Sequence, residues 1–356
     1  MVTLSLCMIL KNEEENLARC LDSASGIFDE IIIADTGSSD KTIDIAKRYT
    51  DKVYHFDWIE DFSAARNFSF EKATSDYCMW LDADDILPKA SGDKLKALKL
   101  SLPPDTDIVM LPYNIAFDEF GNPTFSYYRE RIIRNSPAYR WHGRVHEAIV
   151  PTGNVIYSDA AVTHKKTKAP DPDRNLRIYK KMLKEKINFT PRDSFYYGRE
   201  LFYHKKYDEA ISVFCKLLEN NLVWKENKID ACALLCECYL AKNDSVSALS
   251  ALFHSFLFDG PRAEICCRIG EIMITDRNYR DAAFWFETAL SDKSDLKSGA
   301  FVNPDKRGYI PAIWLCVCYD KLGDKKKAEE YNNLALSFKP QSEAALSNKK
   351  YFEKGV

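Results

Sequence analysis

The chain lacks any long hydrophobic run. Its uninterrupted apolar stretches, such as residues 31–34, are short, and the longest has only eight residues, 312–319, whereas a helix needs about 20 apolar residues to span a bilayer. No basic residue precedes the apolar start that runs to Leu10, which makes this start unlike a secretory signal. The sequence therefore predicts a cytoplasmic protein without a membrane span.

A basic excess is also missing. The chain has 50 Lys and Arg against 53 Asp and Glu, a net charge of -3, which gives no overall field to hold a polyanion, so nucleic acid is not an expected partner. The 11 cysteines are odd in number and the chain is large, which argues against a disulfide framework. We expect most of them to be buried thiols.

The composition changes near residue 170. Residues 1–170 carry 20 basic and 26 acidic side chains and three cysteines, whereas the remainder carries 30 and 27 and eight cysteines. Pro170 and Pro172 lie in a polar segment at this point, which is typical of an exposed linker. We predict one domain at residues 1–168, a linker and connecting helix at 169–190, and a second domain at 191–356.

The first half alternates strand and helix patterns, which predicts an α/β fold with a mainly parallel sheet. Strands are expected at residues 3–10, 30–35 and 77–81, and helices at 14–23 and 41–49. Ligands bind beyond the carboxyl ends of such strands. The polar residues that follow the three strands should converge on one crevice; they are Asn12, Glu13, Asp35, Thr36, Asp82, Ala83 and Asp84.

The second half has an internal period. Ala210, Ala248, Ala282 and Ala328 are spaced 38, 34 and 46 residues apart, close to the tetratricopeptide period of about 34 residues. Each alanine follows a small residue by twelve positions, and these small residues are Gly198, Cys236, Gly270 and Cys316. The pattern predicts an all-α domain of about four degenerate helical pairs, closed by a capping helix at residues 342–352.

The acidic sequence Asp82-Ala83-Asp84 follows an apolar strand. Carboxylate oxygens suit hard divalent ions such as Mg²⁺ or Mn²⁺, which bind substrate phosphates as well. A diphosphate-bearing substrate is therefore indicated. The chain has neither a Gly-x-x-x-x-Gly-Lys-Ser/Thr loop nor a Gly-x-Gly-x-x-Gly sequence after the first strand, so an ATP-type phosphate loop and a dinucleotide fold are not supported.

Four blocks in this half resemble family-2 glycosyltransferases of the GT-A fold, in order and in spacing. They are residues 11–14, 32–40, 62–67 and 81–85. Together with the sequence Trp-His-Gly-Arg-Val-His-Glu at 141–147 and the repeat half, they make the chain similar to the bacterial, sublancin-type peptide S-glycosyltransferases.

The resemblance implies a site for a nucleotide-sugar, expected to be a UDP-sugar. Its implied residues are Leu10, Asn12, Glu13, Asp35, Arg66, Asp82, Ala83 and Trp141. Asp35 would hold the nucleobase or ribose, and Arg66 the diphosphate or the nucleotide. From the residues alone, Arg66 could instead pair with Asp57 or Asp61. The implied ligands for Mn²⁺ or Mg²⁺ are Asp82, Asp84 and His164, which ends a strand expected at residues 154–163.

The resemblance also implies an inverting reaction with a base at Glu147, or else at His146, and a Trp141 that stacks on a sugar. Pairing of His146 with Glu147 within a strand is the structural alternative. The predicted activity is transfer of a hexose to a Ser, Thr or Cys side chain of a peptide or protein that the repeats hold. A glycan or cell-wall acceptor and a non-catalytic scaffold remain as alternatives, and exposed repeat faces would allow a homodimer.

Overall fold

The computed structural model describes residues 2–165, 167, 171–293 and 303–353. The chain forms two compact units, Met1–Asn188 and Phe189–Val356. Part of the expected linker, residues 166 and 168–170, lies outside the described residues.

One sheet forms the centre of the first unit. Its strands are β1 (Leu4–Leu10), β2 (Glu30–Asp35), β3 (Val53–His55), β4 (Tyr77–Trp80), β5 (Asp85–Ile86), β6 (Ile108–Phe117), β7 (Pro123–Arg134), β8 (Val155–Tyr157) and β9 (Val162–His164). The order across the sheet is β3-β2-β1-β4-β7-β6-β9-β5, and β8 pairs with β6. The first four strands of this order are mutually parallel, whereas β7 runs antiparallel to both β4 and β6. The result is a Rossmann-like mixed sheet.

Helices flank this sheet in the chain order expected of an α/β fold. They are α1 (Leu17–Ser23), α2 (Thr42–Ala46), α3 (Phe62–Glu71), α4 (Lys89–Ser101) and α5 (Arg174–Lys184). Both α1 and α2 are shorter than the sequence pattern indicated. Helix α3 begins after Asp61, whose side chain accepts a hydrogen bond from the Ala64 N–H at 2.9 Å, because an aspartate at this position satisfies a free helical amide.

The strand expected at residues 154–163 is two strands, β8 and β9. Both pair with β6, but at different points along it. Between them, the Ser158 hydroxyl accepts a hydrogen bond from the Ala160 N–H at 3.3 Å. Such a local bond competes with the sheet ladder for the backbone, so the segment between the strands leaves the sheet. His164 is the last residue of β9.

The second unit consists of antiparallel helix pairs followed by a single helix. The pairs are α6 (Pro191–Tyr203) with α7 (Tyr207–Glu219), α8 (Lys225–Ala241) with α9 (Ser245–His254), α10 (Ala263–Thr275) with α11 (Tyr279–Leu290), and α12 (Tyr309–Lys321) with α13 (Lys325–Phe338); the single helix is α14 (Glu343–Glu353). Helix α6 starts at a capping box, in which Thr190 and Asp193 each bond the other's backbone amide, and Pro191 lies in the first turn. The all-α repeat architecture is confirmed.

Small buried side chains allow the two helices of each pair to pack closely. The four alanines of the repeat are fully buried, and a Cβ placed on Gly198 would lie only 2.5 Å from Cε1 of Phe214. All 11 cysteines are free thiols, and all but Cys215 are buried, which confirms that most are packing residues. Across the described residues, we find no helix with both the length and the apolar character required to cross a membrane.

Candidate active site

Three strand ends meet at one edge of the first sheet. Strand β1 lies between β2 and β4, parallel to both, and Leu10 is aligned with Asp35. The residues that follow these strands therefore lie beside one another, because parallel neighbours end at the same edge. The predicted convergence of the three polar segments is confirmed.

The turns after β1 and β2 are hydrogen-bonded to each other. Asp35 is buried, and its carboxylate accepts bonds from the Gly37 N–H at 3.0 Å and the Ser38 N–H at 3.1 Å. Asn12 has a positive φ of 56°; its N–H donates to the Ser38 hydroxyl at 2.9 Å and its Oδ1 accepts from the Ser39 N–H at 2.7 Å. These bonds hold the two turns together, and the proposed contacts of Asp35 and Asn12 with a nucleotide stay predictions.

Two further members of the proposed donor pocket border these turns. The Leu10 carbonyl accepts a hydrogen bond from the Thr36 N–H at 2.8 Å, while its side chain is buried in the core. The Glu13 N–H donates to the Thr42 hydroxyl at 2.6 Å. The carboxylate of Glu13 is close enough to the acidic turn after β4 to contribute to the raised pKa of Asp84.

A group able to hold a metal ion lies where this acidic turn meets β9. Asp84, Asp85 and His164 each offer a ligand atom, and these atoms lie within 4.8 Å of one another. Burial and the neighbouring Asp82 carboxylate raise the pKa of Asp84 to about 6. Burial opposes protonation of His164, but its bond to Asp85 and the charge of Asp84 outweigh this and raise its pKa. A divalent cation would relieve the repulsion among these carboxylates.

Asp85 was not among the predicted ligands, and its surroundings give it a supporting role. It is fully buried and accepts bonds from the Tyr113 hydroxyl at 2.8 Å, Arg131 Nη1 at 3.1 Å and the Asp82 N–H at 3.1 Å. These three donors occupy its carboxylate, and His164 Nδ1 lies 3.4 Å from the same side chain. Asp84, 3.5 Å from His164, is therefore the better placed of the two aspartates to bind an ion. The only sequence signal for Asp85 was its position directly after the Asp-x-Asp motif.

Arg66 connects the acidic turn to a distant loop. Its Nη2 donates to Asp82 Oδ1 at 2.8 Å and its Nε donates to Glu147 Oε1 at 2.6 Å. Burial acts to raise the pKa of Asp82, but the charges of Arg66 and Arg131 outweigh it and hold that pKa below its ordinary value. The alternative partners Asp57 and Asp61 are not those that Arg66 bonds.

The guanidinium of Arg66 is enclosed by aromatic rings. Its Cζ lies 4.7 Å from the ring centre of Trp80 and 4.9 Å from that of Trp141. Only 7% of the Arg66 side chain is exposed, so in this conformation the arginine holds protein carboxylates and presents little surface to a phosphate. Trp141 is likewise buried, between Trp80 and Phe70, and offers little surface on which a sugar could stack.

The loop that carries Glu147 is closed on itself. We define residues 141–148 as the base loop; His142 and Ala148 form an isolated antiparallel bridge with hydrogen bonds of 3.0 and 3.1 Å. His146 has a positive φ of 52°, so it and Glu147 do not lie in a regular strand. The Glu147 side chain is 11% exposed, and Arg66 links it to Asp82, the first residue of the acidic motif.

The Rossmann-like sheet, with an acidic motif at its carboxyl edge, has the GT-A fold of glycosyltransferases. The chain belongs to glycosyl transferase family 2, whose sequence model matches residues 5–187.

Three relatives illustrate the two-part architecture. The chain is 30% identical over 259 residues to the SPbeta prophage-derived glycosyltransferase SunS of Bacillus subtilis, covering 68% of this chain and 60% of that protein. It is 38% identical over 150 residues to a TPR repeat-containing protein of Synechococcus elongatus, covering 42% of this chain and 36% of that protein. It is 30% identical over 162 residues to the lipopolysaccharide core biosynthesis glycosyltransferase LpsC of Rhizobium meliloti, covering 43% and 58%. The chain thus spans less than two thirds of each relative's length.

Proposed function

We propose that this glycosyltransferase moves a hexose, of the glucose or N-acetylglucosamine type, from a UDP-sugar to a Ser, Thr or Cys side chain of a polypeptide, with inversion and with a divalent metal. The observation that carries the proposal is the link made by Arg66, which connects the Asp-x-Asp motif to the carboxylate of Glu147. Through this link, Asp82, which we propose lies beside the diphosphate, and Glu147, the proposed base, would belong to one site.

The donor would bind at the edge where β1, β2 and β4 end. Asp35 and the turns after β1 and β2 would receive the nucleoside, and Asp82 and Ala83 would lie beside its ribose and diphosphate. Asp84 and His164 would hold the ion, with Asp82 nearby. Mn²⁺ suits this set better than Mg²⁺, because imidazole is a poorer ligand for Mg²⁺. A bound ion supplies charge stabilisation to the departing diphosphate.

Glu147 would act on the acceptor. It would take the proton from the acceptor hydroxyl or thiol while the acceptor oxygen or sulfur bonds to the anomeric carbon. The bond from that carbon to the diphosphate breaks, and UDP leaves. His146, the neighbouring residue with a positive φ, is the alternative base.

The repeat unit would bind the polypeptide acceptor. Its helix pairs form a tetratricopeptide-like array, and concave repeat surfaces commonly hold extended chains. Tethering such a unit to the catalytic unit raises the effective concentration of the acceptor. We propose residues 1–168 as the catalytic domain and 191–356 as the acceptor-binding domain.

A glycan acceptor is the second candidate, and the similarity to a lipopolysaccharide core glycosyltransferase favours it. The two candidates share the donor and the metal, and they differ in the acceptor that increases UDP release. Peptides and oligosaccharides assayed side by side with the same donor distinguish them.

UDP release with a panel of UDP-sugars and Mn²⁺ tests the proposal. We expect turnover by the wild-type chain, its loss on chelation of the metal, and a loss of about 10³-fold or more for Asp84→Ala. Asp93→Ala, at an exposed aspartate paired with Lys89, is the control and should keep full activity. Absence of turnover with every nucleotide-sugar, or equal activity of Asp84→Ala, would overturn the proposal.

A further inference from the structure

Helix α3 holds the base loop at three points. The Phe62 N–H donates to the Arg144 carbonyl at 2.9 Å, Arg66 donates to Glu147, and Asn67 bonds Trp141. Of these three residues of α3, only Arg66 was a predicted site residue. The first turns of α3 therefore contact the base loop near its start, its middle and its end.

Asn67 makes the most specific of these contacts. Its Nδ2 donates to the Trp141 carbonyl at 3.0 Å, and its Oδ1 accepts from the Trp141 N–H at 2.9 Å. The side-chain amide thus pairs with both backbone groups of one residue, as a neighbouring strand would. The His142–Ala148 bridge carries this constraint from the start of the loop to its end, beside Glu147.

The base loop needs such external support. His146 has φ 52°, a backbone conformation that a residue other than glycine seldom adopts without surrounding contacts. The Arg66 bond reaches the Glu147 carboxylate but not the backbone, and the same arginine is also committed to Asp82. Among the described residues, Asn67 hydrogen-bonds Trp141 and none of the acidic residues after β4.

We propose that Asn67 is a positioning residue that sets where Glu147 stands in the site. This inference rests on the proposed function, in which Glu147 takes the acceptor's proton. A general base must lie within hydrogen-bond reach of that proton, and a displacement of about 1 Å can lower the rate roughly 10²-fold. Loss of the Asn67 bonds would free the start of the loop and shift Glu147 while leaving the donor pocket intact.

The test compares Asn67→Ala with Asn135→Ala. Asn135 is a matched control: it is also half-buried, and its Nδ2 donates to the carbonyls of Ala73 and Ser75 at 3.1 and 3.0 Å. In Asn67→Ala we expect kcat to fall about 10- to 100-fold, with the donor KM and the affinity for UDP within about twofold of wild type. The control should keep kcat within about twofold.

An equal fall of kcat in the control, or a fall of UDP affinity as large as that of kcat, would overturn the positioning role. Asn67→Asp has the same shape and keeps the bond from the Trp141 N–H but loses the donor; if Asn67→Ala does not fold, it decides the question by the same criteria.

Amide hydrogen exchange gives a measurement that does not need activity. Exchange in residues 141–148 should be faster in Asn67→Ala than in wild type and unchanged in Asn135→Ala. Unchanged exchange in Asn67→Ala, with normal wild-type turnover, overturns the positioning role alone. A wild-type chain without turnover overturns the proposed function, whatever the exchange shows.

Discussion

The buried positions that we compare in the two units have different requirements: small size in the repeat unit and charge pairing in the catalytic unit. In the repeat unit, Gly198, Cys236, Gly270 and Cys316 fill equivalent places in four helix pairs, and what they share is small size. In the catalytic unit, Arg66 and Arg131 are buried cations, and what they share is that each bonds specific carboxylates. Substitutions should therefore follow volume in the repeat unit and charge pairing in the catalytic unit.

The strongest effect should come from breaking the Arg131–Asp85 pair. Both side chains are 0% exposed and their closest atoms are 3.1 Å apart. Arg131→Met leaves a buried carboxylate without its cation, which costs about 3–5 kcal/mol in the free energy of unfolding. Urea denaturation followed by tryptophan fluorescence measures it.

The matched control for this variant is Lys89→Met, at the exposed pair with Asp93, where we expect a change below about 0.5 kcal/mol. The double variant Arg131→Met with Asp85→Asn should regain part of the loss, since no unpaired charge remains. A loss for Arg131→Met as small as that of the control would contradict the view that charge pairing governs this unit.

The difference between the two units also explains how much of each could be predicted from the sequence. The small residues of the repeat recur at a regular period, and the polar residues at the strand ends directly follow short apolar runs. Both patterns can be read from neighbouring residues, and the structure contains both features. The partners of Arg66 lie 16 and 81 residues away, and no periodicity relates them. Asp85 and Asn67 make contacts that form only in the folded chain, and residue type alone does not mark them.

An intermediate effect should come from adding volume in the repeat unit. A Cβ on Gly198 would lie 2.5 Å from Phe214, which is fully buried and cannot swing away. Overpacking of this kind costs roughly 1–3 kcal/mol, and alanine returns up to about 1 kcal/mol in helix propensity. Gly198→Ala should therefore lower the free energy of unfolding by about 1–2 kcal/mol in the same urea experiment.

Gly260→Ala is the control for Gly198→Ala, since a Cβ there meets nothing within 4 Å. It should be neutral within about 0.5 kcal/mol. Equal stability of the two variants would mean that the contact with Phe214 does not set the size limit at Gly198.

The smallest effect should come from Cys236, which fills the same place as Gly198 with a thiol. Burial, with the nearby charge of Glu237, raises its pKa to about 12, so the sulfur is a protonated, unreactive group at neutral pH. Arg268, which also contacts this sulfur, keeps its bonds of 2.6 and 2.9 Å to Glu237 when the sulfur is removed. Cys236→Ala should therefore lower the free energy of unfolding by less than about 1 kcal/mol.

A labelling experiment tests the same position. An alkylating reagent should label the exposed Cys215 in the native protein before Cys236, and Cys215→Ala should remove that early labelling. Rapid labelling of Cys236, or a loss above about 2 kcal/mol in the free energy of unfolding of Cys236→Ala, would show that this position depends on the chemistry of its side chain. The repeat unit would then not differ from the catalytic unit in the way proposed, because size alone would not decide which residue fits.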